Sequence, residues 1–273
     1  HTLSRQFAHL VVLEYQQSYI FSSDPNNGAI NVAPDGSSFT VQLNNPIHIP
    51  HEAKNCTLEV TQANIWNTSP NISARLGNNV FYYIVGGTTY SFVIADGLYS
   101  LNALNNLLQL ELEQNTATAA GITMSGDEST QTIVFTFTDT GIGVDFTQTN
   151  TPRELLGFDS RIATATPGPT TTLTDQGDFV AAFNSINSFL LHSDLVSNGI
   201  PVNAIGAAII SQVPIDVKPG SQIVYQPRNP PRVDANQLIG KSVNQIRNWI
   251  TSQKNILIDT ASETFDFLVV IRY

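Results

Sequence analysis

The chain has 273 residues, 41% of them apolar and only 12% charged, with a formal net charge of −10. Its 12 Lys and Arg residues are scattered and form no run, which argues against phosphate-backbone binding and so against a nucleic-acid partner. Cys56 is the single cysteine, so an intrachain disulfide framework and a cysteine-based zinc site are excluded. No stretch approaches the roughly eighteen uninterrupted apolar residues of a spanning helix, so no membrane span is expected.

Polarity is carried by Asn, Gln, Ser and Thr rather than by charges. Such groups suit surfaces that are wet when free and buried on assembly, because they hydrogen-bond without the cost of desolvating an ion. A β-protein with Thr- and Ser-rich solvent faces has the same composition. The chain opens on His1, consistent with a processed or tag-derived start.

Residues 1–34 contain a short apolar run, Leu10 to Leu13, followed by a stretch punctuated by Asn, Gly, Pro and Asp. This reads as an extended N-terminal arm with turns. From Ser38 the pattern changes to strands. Phe39, Val41 and Leu43 alternate, and "CTLEVTQANIW" follows with Leu58 and Val60, while Pro46 and Pro50 mark strand ends or an edge.

"NVFYYIVGGTTYSFVIADG" predicts a hairpin through Gly86-Gly87. "SLNALNNLLQLELEQ" predicts a helix with Leu101, Leu104, Leu108 and Leu112 on one face and Ser100 as its cap. "ITMSGDESTQTIVFTF" predicts a second hairpin, with Gly126-Asp127 near its turn. In "TPRELLGF" Thr151 and Glu154 have capping-box spacing, Pro152 suits the first helical position and Gly157 is the expected stop.

"ATATPGPTTTLTDQG" is a linker by composition. Strands resume in "NSFLLHSDLV", "AAIISQVPID" and "SQIVYQP". "VNQIRNWI" is read as a strand, although Val243, Ile246 and Trp249 also fit a helix. In the closing segment Phe265, Phe267, Val269 and Ile271 alternate with Asp266, Leu268, Val270 and Arg272.

Two strands before residue 78 cannot bury a face alone and need partners from after residue 185. The expected architecture is therefore mainly β: a β-sandwich of residues 35–77 plus 181–273, interrupted by a small inserted α+β domain at 78–180, with an arm at 1–34. A strand that closes a Greek-key sandwich lies beside strands made much earlier, which would tie down the apolar carboxyl end.

Chemistry is hard to find. His48 and His51 are three apart, but Pro50 breaks any helix that would align them, and in a strand they face opposite ways. His192, Ser193 and Asp194 are consecutive and cannot converge as a relay, so His192 is expected to bond backbone at a strand end. Asp127-Glu128 and Asp175/Asp178 are expected in solvated loops. Acceptor tripeptides for N-glycosylation at Asn55, Asn67 and Asn71 are what chance gives in this composition. No catalytic, cofactor-binding or metal-ligating residue is assigned, and no enzyme is expected.

Several stretches in order resemble a known family. "VIADGLYSLNALNNLL", "ELLGF", "HSDLV", "VPIDVKPGSQIVYQP" and the closing segment resemble the penton, or vertex, capsid proteins of virophages and Polinton-like viruses, over roughly residues 38–60 and 80–273. In the closing pattern Ile246, Trp249, Thr251, Gln253, Leu257, Asp259, Glu263, Phe267 and Ile271 match. Ile250 and Ser252 stand where the family has Leu and Asp, and Ala261-Ser262 where it has Asn-Gly.

The resemblance implies a jelly roll with an inserted domain and no catalytic residues or cofactor. It implies a homopentamer at the five-fold vertices of an icosahedral virion assembled in an infected host cell, among trimers of a double-jelly-roll major capsid protein. A carbohydrate-binding or adhesive β-sandwich is the competing expectation, with Trp66, Tyr82, Tyr83 and Tyr90 available as an aromatic platform. Cross-strand pairing within a hairpin is the plainer role for the tyrosines. A hydrolase on a sandwich is a third, which would need acids converging from separate elements.

Overall fold

The computed structural model describes residues 14–114, 121–164, 173–201 and 207–273. The apolar run Leu10–Leu13 and residues 165–172 of the Thr/Pro-rich segment lie outside them.

In chain order the strands are β1 (Gln16–Ser22), β2 (Ala29–Ile30), β3 (Ser38–His48) and β4 (Thr57–Trp66). Then come β5 (Val80–Val85), β6 (Thr88–Val93), helix α1 (Leu101–Gln114), β7 (Ile122–Asp127), β8 (Thr132–Phe137), β9 (Ile142–Asp145), helix α2 (Arg153–Leu156), β10 (Ile162–Thr164) and β11 (Leu173–Gln176). The chain finishes with β12 (Ser188–Ser193), β13 (Ile209–Pro214), β14 (Gln222–Tyr225), β15 (Val233–Asp234), β16 (Ser242–Ser252) and β17 (Asp266–Arg272).

Two antiparallel sheets form the sandwich. One runs β1-β17-β4-β14, with β15 also on β4; the other runs β13-β12-β16-β3-β2. Leaving aside the two-residue strands β2 and β15, the strands that precede and follow the β5–β11 stretch number eight, and their order decides the winding. The first, eighth, third and sixth make one sheet, and the second, seventh, fourth and fifth make the other. Each sheet thus pairs early strands with late ones, which is the double Greek-key winding of a jelly roll.

Alternation explains the core. Phe21, Phe39, Leu58, Val60, Phe189, Leu191, Ile246, Ile250, Phe267, Val269 and Ile271 all point between the sheets and are buried. β17 is internal, paired with β1 on one side and β4 on the other. Tyr15 and Tyr273 exchange backbone hydrogen bonds of 2.9 and 3.0 Å, so the last residue is held in the ladder.

Part of the expected arm needs correcting. Gln16–Ser22 is a full seven-residue strand, and Ala29–Ile30 pairs with β3. "QQSYIFS" carries only two large inward side chains, Tyr19 and Phe21, too few to signal a strand without the partner that completes its face.

A second core comprises Ile72 to Ala163. It is built on sheets β10-β9-β5-β6 and β11-β8-β7, with Leu104, Leu108 and Leu112 of α1 buried and the helix lying along β7. Gly86 and Gly87 both have positive φ (57° and 82°), which closes the β5–β6 hairpin as the sequence predicts. Ser100 Oγ accepts from Ala103 N–H at 3.2 Å and caps α1.

Two local expectations are corrected. The capping box at Thr151 does not form, because the single turn of α2 begins at Arg153 with Pro152 at the cap position and no side-chain cap bond. Gly157 does end it, at φ 79°. The Thr/Pro-rich linker is strand at both described ends, since Ile162–Thr164 pairs with β9 and Leu173–Gln176 with β8. Polar side chains on an edge strand leave no apolar period to read.

Candidate interaction surfaces

The β5–β11 stretch leaves the sandwich at the end of β4 and returns before β12, and this junction is polar and closely tied. Asn67 and Asn71 are buried, their amides donating to Val217 O (3.1 Å) and Tyr99 O (2.8 Å). Both glycosylation tripeptides thus hold structural asparagines, whereas Asn55 is exposed. Arg75 pairs with Asp35 of the β2–β3 connection and donates to Leu257 O in the β16–β17 connection. Thr68 Oγ1 donates to Thr260 O at 3.0 Å, and Gln253 Nε2 to Ser185 O at 2.8 Å.

Beside these ties lies a cleft of about 800 Å³. Its walls carry neutral hydrogen-bonding groups such as Asn78, Gln148, Asn150, Thr151, Ser185 and Ser252. Leu76, Ile256 and Leu257 stand exposed along it, and Arg153 and Lys254 make no ion pair among the described residues. The cleft thus combines neutral polar groups, an aliphatic rim and the charged side chains of Arg75, Arg153, Glu154, Lys254 and Asp259.

The residues singled out from sequence do not converge. His48 ends β3 and His51 sits in the following turn, both exposed, and no cluster of three His, Cys, Asp or Glu is present among the described residues. His192 is buried on β12, but its bond is to a side chain, Thr251 Oγ1 at 2.9 Å, not to backbone. Its ring stacks on Trp249 at 4.9 Å, and burial pushes its pKa down to about 4. Ser193 Oγ instead accepts from Leu195 N–H. The Cys56 thiol is buried and pushed up to about 11 by burial and by Asp234.

Asp178 lies in an exposed bend, as expected of a solvated loop, whereas Asp175 is half-buried on β11. Both bind Arg161, with Asp175 gripping its two terminal nitrogens at 2.8 Å each and Asp178 its Nε at 2.8 Å. The guanidinium also lies over the Phe158 ring. A second cluster centres on buried Glu59, which accepts from Arg272 Nη2 at 2.8 Å and faces Arg232 Nε at 3.4 Å. Nothing in the sequence pairs these residues; only the strand register brings Arg272 beside Glu59.

The aromatic candidates do not make a platform. Tyr83 is fully buried and stacks on Tyr90, directly opposite in the β5–β6 register. Trp66 ends β4 in the sandwich.

Comparison with known proteins bears on the whole chain. No family model and no curated protein matches it. Among solved structures it is similar to the penton protein of mavirus, at 10% identity and a TM-score of 0.48, covering 96% of this chain and 99% of that one. It is also similar to a chain of the Sputnik virophage structure determined by cryo-EM, at 14% identity and a TM-score of 0.40, covering 94% and 97%.

Proposed function

We propose that the chain is a structural capsid protein, a penton-type subunit that assembles as a homopentamer at the five-fold vertices of an icosahedral virion. Its neighbours there would be trimers of a double-jelly-roll major capsid protein, in a particle built in an infected host cell. The observation that carries this reading is the eight-strand jelly-roll winding interrupted after its third strand by a second compact core. That is the architecture implied by the resemblance of the closing segment and the ordered motifs to vertex capsid proteins.

Strand direction gives the subunit a polarity. β4 runs toward the second core, β17 is antiparallel to β4, and β1 is antiparallel to β17. β1 therefore begins at the end remote from the second core. In the proposed vertex, the domain at 78–180 projects from the shell, the sandwich of 35–77 plus 181–273 completed by β1 and β2 forms it, and β1 begins at the opposite end. A closed five-fold ring uses heterologous contacts, so one flank of the sandwich must complement the other. Neutral polar surfaces with few charges make such a seam with bridging water.

Light scattering on the purified chain tests the reading. A five-fold mass is expected; a stable three-fold mass, or a monomer at every concentration and in the presence of the major capsid protein, would overturn it.

A further inference from the structure

The sandwich has one edge with none of the usual protection. β1 carries no Lys, no Pro and no bulge, its register with β17 being unbroken over seven residues. The paired bonds at Tyr15–Tyr273 and the Ser23 N–H to Phe265 O bond fix which groups face inward. Odd-numbered residues bond to β17, so the backbone N–H and C=O groups of Gln16, Ser18, Ile20 and Ser22 face the free edge. No described strand pairs with them. Ile20, at 71% exposure, stands on the outer sheet face of the same strand. The edge β13 is different: it ends in Pro214, and Ile200 N–H bonds to its Ile209 O.

Residues 1–13 precede this strand directly. Their sequence, "HTLSRQFAHLVVL", ends in the β-prone run Ala8–Leu13. No Gly, Pro, Asn or Asp occurs anywhere in residues 1–23, so the chain has no residue suited to the tight reversal that would lay this run back on its own β1. Thirteen extended residues reach about 40 Å, enough to cross to an adjacent subunit.

We propose that the free edge of β1 is a strand-addition site whose occupant is the Ala8–Leu13 segment of a neighbouring copy, so that each subunit donates one strand and receives one. The inference rests on the chain assembling with itself, as proposed above, and specifies one contact of that assembly. Main-chain bonds supply the pairing and alternate side chains of the donated strand set the register. Donor and acceptor are different parts of the molecule, so the contact is heterologous, the type that a closed five-fold ring requires.

Hydrogen exchange on the full chain, followed with concentration alongside mass, is the direct test. The Ser18 and Ile20 amides are expected to exchange freely in dilute monomer and to become protected as the oligomer forms. Protection that is independent of concentration would mean pairing within one chain and overturn the proposal. A five-fold mass with these amides still unprotected would overturn it while leaving the vertex reading intact; a chain that never assembles would remove both.

Ser18→Pro deletes an edge-facing N–H and spares the β17 ladder. It is expected to raise the concentration for half-assembly about tenfold or more. Ile20→Lys keeps every N–H, adds an edge charge and is expected to act in the same direction. Unchanged assembly in both would sink the proposal.

Discussion

Arg161 and Asp175 form a two-pronged ion pair, each terminal guanidinium nitrogen 2.8 Å from a different carboxylate oxygen. The pair joins the start of β10 to β11 across the Thr/Pro-rich segment, and Asp178 adds a third prong at Nε. The Arg161 guanidinium holds the Asp178 carboxyl below the usual carboxylate range.

Arg161→Ala should therefore loosen the β10–β11 margin of the second core, costing about 2 kcal/mol, because hydrogen bonds to charged groups are the stronger class. Differential scanning calorimetry would register it. A carboxyl whose folded pKa is depressed stabilises above its unfolded pKa and loses that contribution as pH falls through the folded value. The Asp178 contribution should thus fade below about pH 4 in the parent and be absent from the variant. Identical acid melting curves would contradict this.

Ala261 and Ser262 have φ of 52° and 66°, in the left-handed region that favours Gly and Asn. They lie in the connection from β16 to β17, where the vertex-protein pattern has Asn-Gly. The double change Ala261→Asn, Ser262→Gly should relieve both positions and stabilise by about 1 to 2 kcal/mol. Urea denaturation reads this as a higher midpoint with the same slope; a lower midpoint would show that the side chains matter more than the backbone.

Asn248 points into the sandwich core from β16, is fully buried, and neither of its amide atoms has a hydrogen-bond partner among the described residues. An unpaired buried amide costs about 1–3 kcal/mol. Asn248→Val should raise the melting temperature, since Val suits both the strand and its apolar neighbours. A drop would contradict this and mean that the buried amide is hydrogen-bonded inside the sandwich, for instance to a trapped water.

His192 is neutral in the folded chain down to pH about 4. The unfolded chain takes up its proton near pH 6.5. Between these values the unfolded state binds more protons, so stability falls as pH is lowered from 6.5 to 4, by up to about 3 kcal/mol. His192→Gln keeps a hydrogen bond to Thr251 within reach and should flatten this slope in a series of melts at stepped pH. An unchanged slope would assign the acid sensitivity to the carboxylates.

Period and punctuation determined much of this protein. The hairpin at Gly86-Gly87, the leucine face of α1 with its Ser100 cap, the Gly157 stop and the alternation of β17 are local, and local sterics decide them in any context. The need for strands after residue 185 to complete those before residue 78 also follows from sequence, because a lone pair of strands cannot bury its face. Tertiary structure alone decided the rest. β1 became a strand because β17 offered it an edge, and Asp175 became a half-buried ion-pair partner because folding carried Arg161 to it. Glu59 met Arg272 by strand register across more than two hundred residues. Such pairings depend on which segments become neighbours in space, and a sequence read along its own length contains no term for that distance.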